Sequence, residues 1–220
     1  MEKLKCVVIS DTHMKHNEIN FDDYIDCNTL IHAGDFCNKG TEMEVIHFLE
    51  WLEGLDFNNK ILIAGNHDIY LERFPDDFEL LIENIAPSVT YLMNASTIID
   101  GIKFYGSPYS NEFCGWAFME YDHDLQTIWN AIDLDTDVLI SHGPAYMCHD
   151  LVDNAWSRER NVGSKALQIR KSMLPQLKAH VSGHIHSQHG TSITHGCTNI
   201  CASICDEQYK ATQPPIRLEI

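Results

Sequence analysis

The chain has 220 residues, 44% of them hydrophobic, and sets 15 Lys and Arg against 32 Asp and Glu for a formal net charge of −17. That length suits one domain, spanning residues 1–220, with its own core, and no apolar run reaches the roughly 18 residues of a membrane span. So acidic a surface repels long nucleic acid, which is held mainly through Lys and Arg, but it admits a small phosphorylated molecule where bound cations reverse the local field.

The first apolar stretch, residues 6–9, is β-branched and reads as a buried strand. It runs straight into Asp11, too short for the apolar region of a signal peptide and without a small-residue cleavage site, so the expectation is an intracellular, cytoplasmic protein. Residues 29–32 and 60–64 read as further strands. Between them Thr41 and Glu44 form a capping-box pattern that opens a helix through about Leu52. Residues 77–85 read as a helix stopped by Pro87. Residues 97–99 and 103–105, joined at Asp100-Gly101, read as a hairpin with a tight turn. Then come a helix over 122–132, a strand at 138–140, a helix over 164–173, a strand containing Val181 and several strands from Thr191 to the end. This order predicts an α/β protein in which two mixed β-sheets pack as a sandwich flanked by helices.

The eight cysteines form no Cys-x-x-Cys pair, and in a cytosolic setting they read as reduced thiols. Cys197, Cys201 and Cys205 are evenly spaced, but their neighbours look like strand and turn, where that spacing does not gather three thiols. They read as small buried hydrophobes.

Chemistry concentrates where strands end. Residues 6–9 run into Asp11-Thr12-His13, 29–32 into Gly34-Asp35, 60–64 into Gly65-Asn66-His67-Asp68, 138–140 into Ser141-His142-Gly143, and Val181 into Gly183-His184-Ile185-His186. In an α/β sheet the loops after the carboxyl ends of strands line the ligand crevice, so five loops bearing carboxylate, imidazole or amide should converge. If extended, Asp11 and His13 point the same way, as do His184 and His186. Oxygen and nitrogen donors without thiolate favour manganese, iron or zinc, with magnesium also admissible. Each motif alone is weak in a chain with 13 His; the ordered set is what carries the argument.

That set, Asp-x-His, Gly-Asp, Gly-Asn-His-Asp, Ser-His-Gly and Gly-His-x-His in unbroken order from Asp11 to His186, resembles the calcineurin-like metallophosphoesterase superfamily. Tyr105-Gly106-Ser107-Pro108-Tyr109, Glu112-Phe113-Cys114-Gly115-Trp116-Ala117-Phe118, Asn161-Val162-Gly163-Ser164 and Thr212-Gln213-Pro214-Pro215-Ile216 resemble its branch of small enzymes related to the MPPED proteins. Cys201-Ala202-Ser203 departs from the Asn-Ala-Ser of that branch, outside the metal motifs. The resemblance implies two divalent metal ions: Asp11, His13 and His186 at one, Asn66, His142 and His184 at the other, and Asp35 bridging. It places His67 outside both sets, facing substrate, with Asp68 orienting its ring or tuning its basicity.

A metal-activated hydroxide would then attack phosphorus in line, with His67 protonating the leaving oxygen. The expected substrate is a small phosphodiester, first of all a 2′,3′-cyclic nucleotide; a phosphomonoesterase, or a nucleotide-binding regulator with weak turnover, is the alternative. A nuclease fits the charge poorly, and the His-x-His-x-Asp-His of metallo-β-lactamase-like hydrolases is missing. His16 is a further candidate for substrate contact, against an exposed loop residue. The loop over 107–118 either walls the pocket or packs Trp116 and Phe118 in the core. His149, Arg158 and Arg160 read as surface residues, with an Arg–phosphate contact as the sharper alternative. His32, His47, His123, His180, His189 and His195 have no functional case.

Overall fold

The computed structural model describes residues 3–152 and 160–220; Arg158, a candidate phosphate contact, lies outside them. The chain runs β1 (Lys5–Ile9), β2 (Thr29–Ala33), α1 (Glu42–Glu53), β3 (Asn59–Ile63), α2 (Ile69–Arg73), α3 (Pro75–Ile85), β4 (Val89–Tyr91), β5 (Ala95–Ile99) and β6 (Ile102–Ser107). It continues through β7 (Ser110–Asn111), β8 (Met119–Glu120), α4 (Asp122–Asn130), β9 (Val138–Ser141), α5 (Lys165–Ser172), β10 (Ala179–Ser182), β11 (Gly190–Thr194), β12 (Cys197–Cys201) and β13 (Ile216–Glu219).

The local signals act as their chemistry requires. The Thr41 hydroxyl accepts from the Glu44 N–H at 3.3 Å and the Glu44 carboxylate accepts from the Thr41 N–H at 3.2 Å, closing the capping box of α1. Pro75 opens α3 at its first turn, where its missing N–H costs nothing. Asp100 and Gly101 both take positive φ, 50° and 80°, as a two-residue turn between twisted strands demands.

Sheet one has the order β13-β1-β2-β3-β4, with β1 to β4 parallel and β13 antiparallel at the edge. Sheet two has the order β11-β12-β10-β9-β6-β5, with the four inner strands parallel and both edges antiparallel. Side-chain alternation builds the layers. Cys6, Val8, Ile31, Ala33, Ile61 and Ile63 face Phe104, Val138, Ile140, Val181 and Ile200 across the two sheets. The opposite side of sheet one, with Val7, Ile9, Leu30 and Leu62, packs on Phe48, Leu49 and Leu52 of α1 and Phe78 of α3. On the far side of sheet two Tyr105 and Leu139 pack with Leu125 and Trp129 of α4 and Leu167 of α5. The expected two-sheet sandwich flanked by helices is the fold observed, and strands covered on both faces explain the continuous apolar runs.

The carboxyl ends of β1, β2 and β3 and those of β9 and β10 meet at one end of the seam between the sheets. The backbone ties there include Asp11 N to the Gly34 carbonyl at 2.9 Å and Gly183 N to the His142 carbonyl at 3.0 Å. β4, α2 and the short β7–β8 pair have no counterpart in the sequence reading. They span only two to five residues, too few for a periodic signal.

Candidate metal centre

Asp11, His13, Asp35 and His184 all sit in the left-handed region, with φ of 49°, 40°, 57° and 70°. The extended geometry expected for Asp-x-His and His-x-His is therefore not the one adopted. Asp11 and His13 meet through a left-handed turn, and His184 and His186 diverge to different groups. Such conformations cost about 1–3 kcal/mol each and persist only where surrounding bonds enforce them. Here His184 N–H reaches both Asp11 carboxylate oxygens at 3.0 Å, His13 N–H reaches the Asp35 carbonyl at 3.1 Å, and His67 N–H reaches Asp35 Oδ1 at 2.7 Å.

Two groups of side chains with metal-ligand chemistry result, Asp11–His13–His186 and Asp35–His142–His184, and in each the donor atoms lie within 4.8 Å of one another. In the first, His13 Nε2 and His186 Nε2 are 3.2 Å apart and His186 Nε2 is 3.4 Å from Asp11 Oδ1. In the second, His142 Nε2 is 3.3 Å from Asp35 Oδ2 and 2.9 Å from Asn66 Oδ1. Asp35 Oδ2 is also 3.9 Å from His13 Nε2, so this carboxylate faces both groups. A third combination, His13–Asp35–His67, meets the same distance limit.

Backbone carbonyls fix the rings. His13 Nδ1 donates to Cys37, His142 Nδ1 to Ala33 and His186 Nδ1 to Asp206, each at 3.0 Å. With Nδ1 committed as donor, Nε2 of each ring points inward and, when the ring is neutral, offers its lone pair there. The Nε2 atoms of His13 and His186 thus face each other at hydrogen-bond distance among buried carboxylates, so positive charge, a proton or a metal ion, belongs between them. Without a metal ion, protons supply that charge. Burial lowers His186 and His142, but the carboxylates of Asp11 and Asp35 outweigh it and raise each to about 9. Burial pushes Asp11 and Asp35 up, and the surrounding imidazoles bring both well below the usual carboxylate range. The donor set fits divalent metal ions, with oxygen and nitrogen and no thiolate; no cysteine enters a candidate group among the described residues.

Gly183 shows how tightly the centre is built: a Cβ there would run into the Ser10 hydroxyl and the Asp11 carboxylate. Gly183→Ala is expected to displace Asp11, lowering stability by about 1–3 kcal/mol and metal content with it. Thermal melting and metal analysis of the variant check this, and unchanged values in both would show that the neighbours yield freely.

Two expected roles change. The Asp68 carboxylate does not reach the His67 ring; it accepts backbone N–H groups of Asp35 and Cys37 at 2.9 Å and of Gly65 at 2.7 Å. It holds the Asp35 and Gly65 turns together, and the His67 ring is oriented instead by Nδ1 donating to the Asn38 carbonyl at 2.8 Å. His16 is fully buried, 3.2 Å from His47 and packed on Phe48 and Trp51. It neither lines the cleft nor reaches solvent, because the short helical turn that carries it folds back under α1.

The cleft over the centre encloses 570 Å³ and is lined by Asp35, Asn66, His67, His184, His186 and Tyr109, among others. The loop over 107–118 divides its duties: Phe113 lines the cleft and is 74% exposed, Trp116 sets its ring 4.2 Å from that of His67, and Phe118 is buried. Tyr209 went unnoticed in the sequence. Its ring lies 4.7 Å from His13 and 5.2 Å from His186, and it projects from a turn organised by Asp206, whose carbonyl also holds His186. His149 is tied to the Gln188 carbonyl and to Ser192.

A family model for calcineurin-like phosphoesterases matches residues 4–188. The chain belongs to the calcineurin-like phosphoesterase family. The human metallophosphoesterase domain-containing protein 1 is 33% identical over 98% of this chain and 71% of its own length. UPF0046 protein C25E10.12 of Caenorhabditis elegans is 32% identical over 99% of this chain and 81% of its own. The metallophosphoesterase branch read from the motifs is therefore the right one. Among solved structures, phosphopantetheinyl hydrolase PptH from Mycobacterium tuberculosis superposes with a TM-score of 0.67 at 14% identity, covering 100% of this chain and 96% of that one. TT1561 of Thermus thermophilus gives 0.62 at 9% identity, over 91% and 89%. These last two likenesses concern the fold. As a calcineurin-like phosphoesterase the chain carries candidate metal-ligand clusters, and among the described residues no helix is long and apolar enough to cross a membrane.

Proposed function

We propose that this chain is a phosphodiesterase of small nucleotides, 2′,3′-cyclic nucleotides first among them, working with two divalent cations. Asp11, His13 and His186 hold one, Asn66, His142 and His184 the other, and Asp35 bridges. The observation that carries the reading is the pair of donor groups facing one carboxylate at the floor of an aromatic-walled cleft. Manganese, iron, zinc or magnesium bound there supplies a nucleophile from water near neutral pH and positive charge for the phosphoryl oxygens.

The chain's own groups do the rest. Asn38 holds His67 Nδ1, which leaves Nε2 as the atom that gives a proton to the leaving oxygen. Trp116 and Tyr209 flank that imidazole. Phe113 offers a base a face to stack on, a contact worth about 1–3 kcal/mol. A cytoplasmic setting, where thiols stay reduced, agrees with eight free cysteines.

The test is a hydrolysis panel on metal-reconstituted protein with 2′,3′-cyclic AMP, 3′,5′-cyclic AMP, AMP and an aryl phosphodiester. The 2′,3′-cyclic diester is expected to be cleaved fastest among the nucleotides. Cleavage of aryl diesters alone would remove the nucleotide assignment, and cleavage of AMP alone would make the protein a phosphatase.

A further inference from the structure

Behind the second donor group, on the helix side of sheet two, lies a polar chain that the proposed chemistry does not use. Ser141 Oγ donates to the Gly143 carbonyl at 2.7 Å. Its single proton is thereby committed, so its 2.7 Å contact with His180 Nε2 runs from the imidazole N–H to the hydroxyl oxygen. His180 Nδ1 is then an acceptor, and Lys171 Nζ donates to it at 3.0 Å. Lys171 also donates to Asn199 Oδ1 at 2.7 Å and approaches Cys148 Sγ at 3.8 Å. Every hydrogen bond in the series Lys171, His180, Ser141, Gly143 therefore points the same way, toward the turn that contains His142.

The series is buried throughout: Ser141, His180, Asn199 and Lys171 are 0, 1, 1 and 8% exposed. A lysine this deeply buried is an expensive choice where a methionine would pack. Burial accordingly pushes its pKa below the ordinary lysine value. What the lysine secures is direction: it fixes the His180 tautomer, and that tautomer fixes the Ser141 hydroxyl across the turn. The turn meets the second donor group directly and the first only through intermediaries, Asp35 and the His184 N–H to Asp11. His142 carries Nε2 to Asp35 and Asn66, and its carbonyl accepts the N–H of Gly183, next to His184.

We propose that Lys171 and His180 are positioning residues that set the Ser141–His142–Gly143 turn and thereby tune the cation site formed by Asn66, His142 and His184 more strongly than that of Asp11, His13 and His186. The assignment rests on the two-cation reading above and predicts a selectivity that general destabilisation would not produce.

The experiment is calorimetric titration of the metal-free 220-residue chain with Mn²⁺, alongside thermal melting, for the wild type, Lys171→Met, His180→Leu and His180→Gln. The wild type is expected to bind two equivalents. Lys171→Met and His180→Leu should keep one equivalent within a few-fold of wild-type affinity and weaken the other about 10–100-fold, the range for partners that orient a metal ligand. His180→Gln keeps an N–H for Ser141 and a carbonyl for Lys171, and should restore the second equivalent to within a few-fold. Should Lys171→Met fail to fold, Ser141→Ala cuts the same link while leaving lysine and imidazole paired, and should show the same one-site loss. Equal weakening of both equivalents, no weakening, or a glutamine variant no better than leucine overturns the proposal and leaves the two-cation reading standing. A wild type that binds fewer than two equivalents overturns both.

Discussion

Asp35→Asn is expected to weaken both bound cations and to lower hydrolysis of an aryl phosphodiester at least about 100-fold, the upper end of what the loss of a mere ligand-orienting partner costs. Asp35 Oδ2 lies 3.3 Å from His142 Nε2 and 3.9 Å from His13 Nε2, one in each donor group, while Oδ1 accepts the His67 N–H at 2.7 Å. Asparagine keeps the volume, loses the charge, and turns one of two acceptors into a donor. Because the carboxylate serves both groups, the loss should not be confined to one equivalent. Metal analysis after manganese loading, read with the rate, checks this. Two full equivalents and an unchanged rate in the variant would remove Asp35 from the bridge.

His67→Ala is expected to keep its metal and lose about 10²–10⁴-fold in turnover, the usual contribution of a positioned general acid. The ring is anchored at Nδ1 by the Asn38 carbonyl and packed against Trp116, so truncation removes the proton donor without disturbing the backbone N–H that His67 gives to Asp35. The drop should shrink for a nitrophenyl leaving group, which departs without protonation. Metal content decides the role, since His67 also meets the distance limit for a group with His13 and Asp35. Lost metal would make it a ligand.

The layered fold was legible because its strands are covered on both faces and so read as apolar runs, and because the Thr41 cap and the Asp100-Gly101 turn depend on side chains visible in sequence. The donor residues were legible because loops after parallel strands must converge. Their local geometry was not. Positive φ at Asp11 and His184 is enforced by long-range backbone contacts, and the carbonyls of Cys37, Ala33 and Asp206 that set the histidine rings belong to residues whose side chains say nothing of it. Asp68 misled because its partners are backbone N–H groups that any residue supplies, and His16 because its burial depends on α1 folding back over it. Tyr209 lies in a turn beyond the last motif, joined to the centre only through space. His180 looked like one histidine among many until Ser141 and Lys171 came to lie on either side of it.

The donor groups draw on the ends of both sheets, and His13 and His186 meet from 173 positions apart in the chain. An unfolded chain scatters these donors, so it competes feebly for metal, and mass action places nearly all the binding free energy in the folded state. At a free metal concentration about 100 times the dissociation constant, each of the two proposed sites would add about 2.7 kcal/mol, a large share of the margin by which a protein of this size stays folded. Chelation should therefore do more than silence the centre: it withdraws a rivet between two sheets, and resistance to proteolysis should track metal supply as closely as catalysis does.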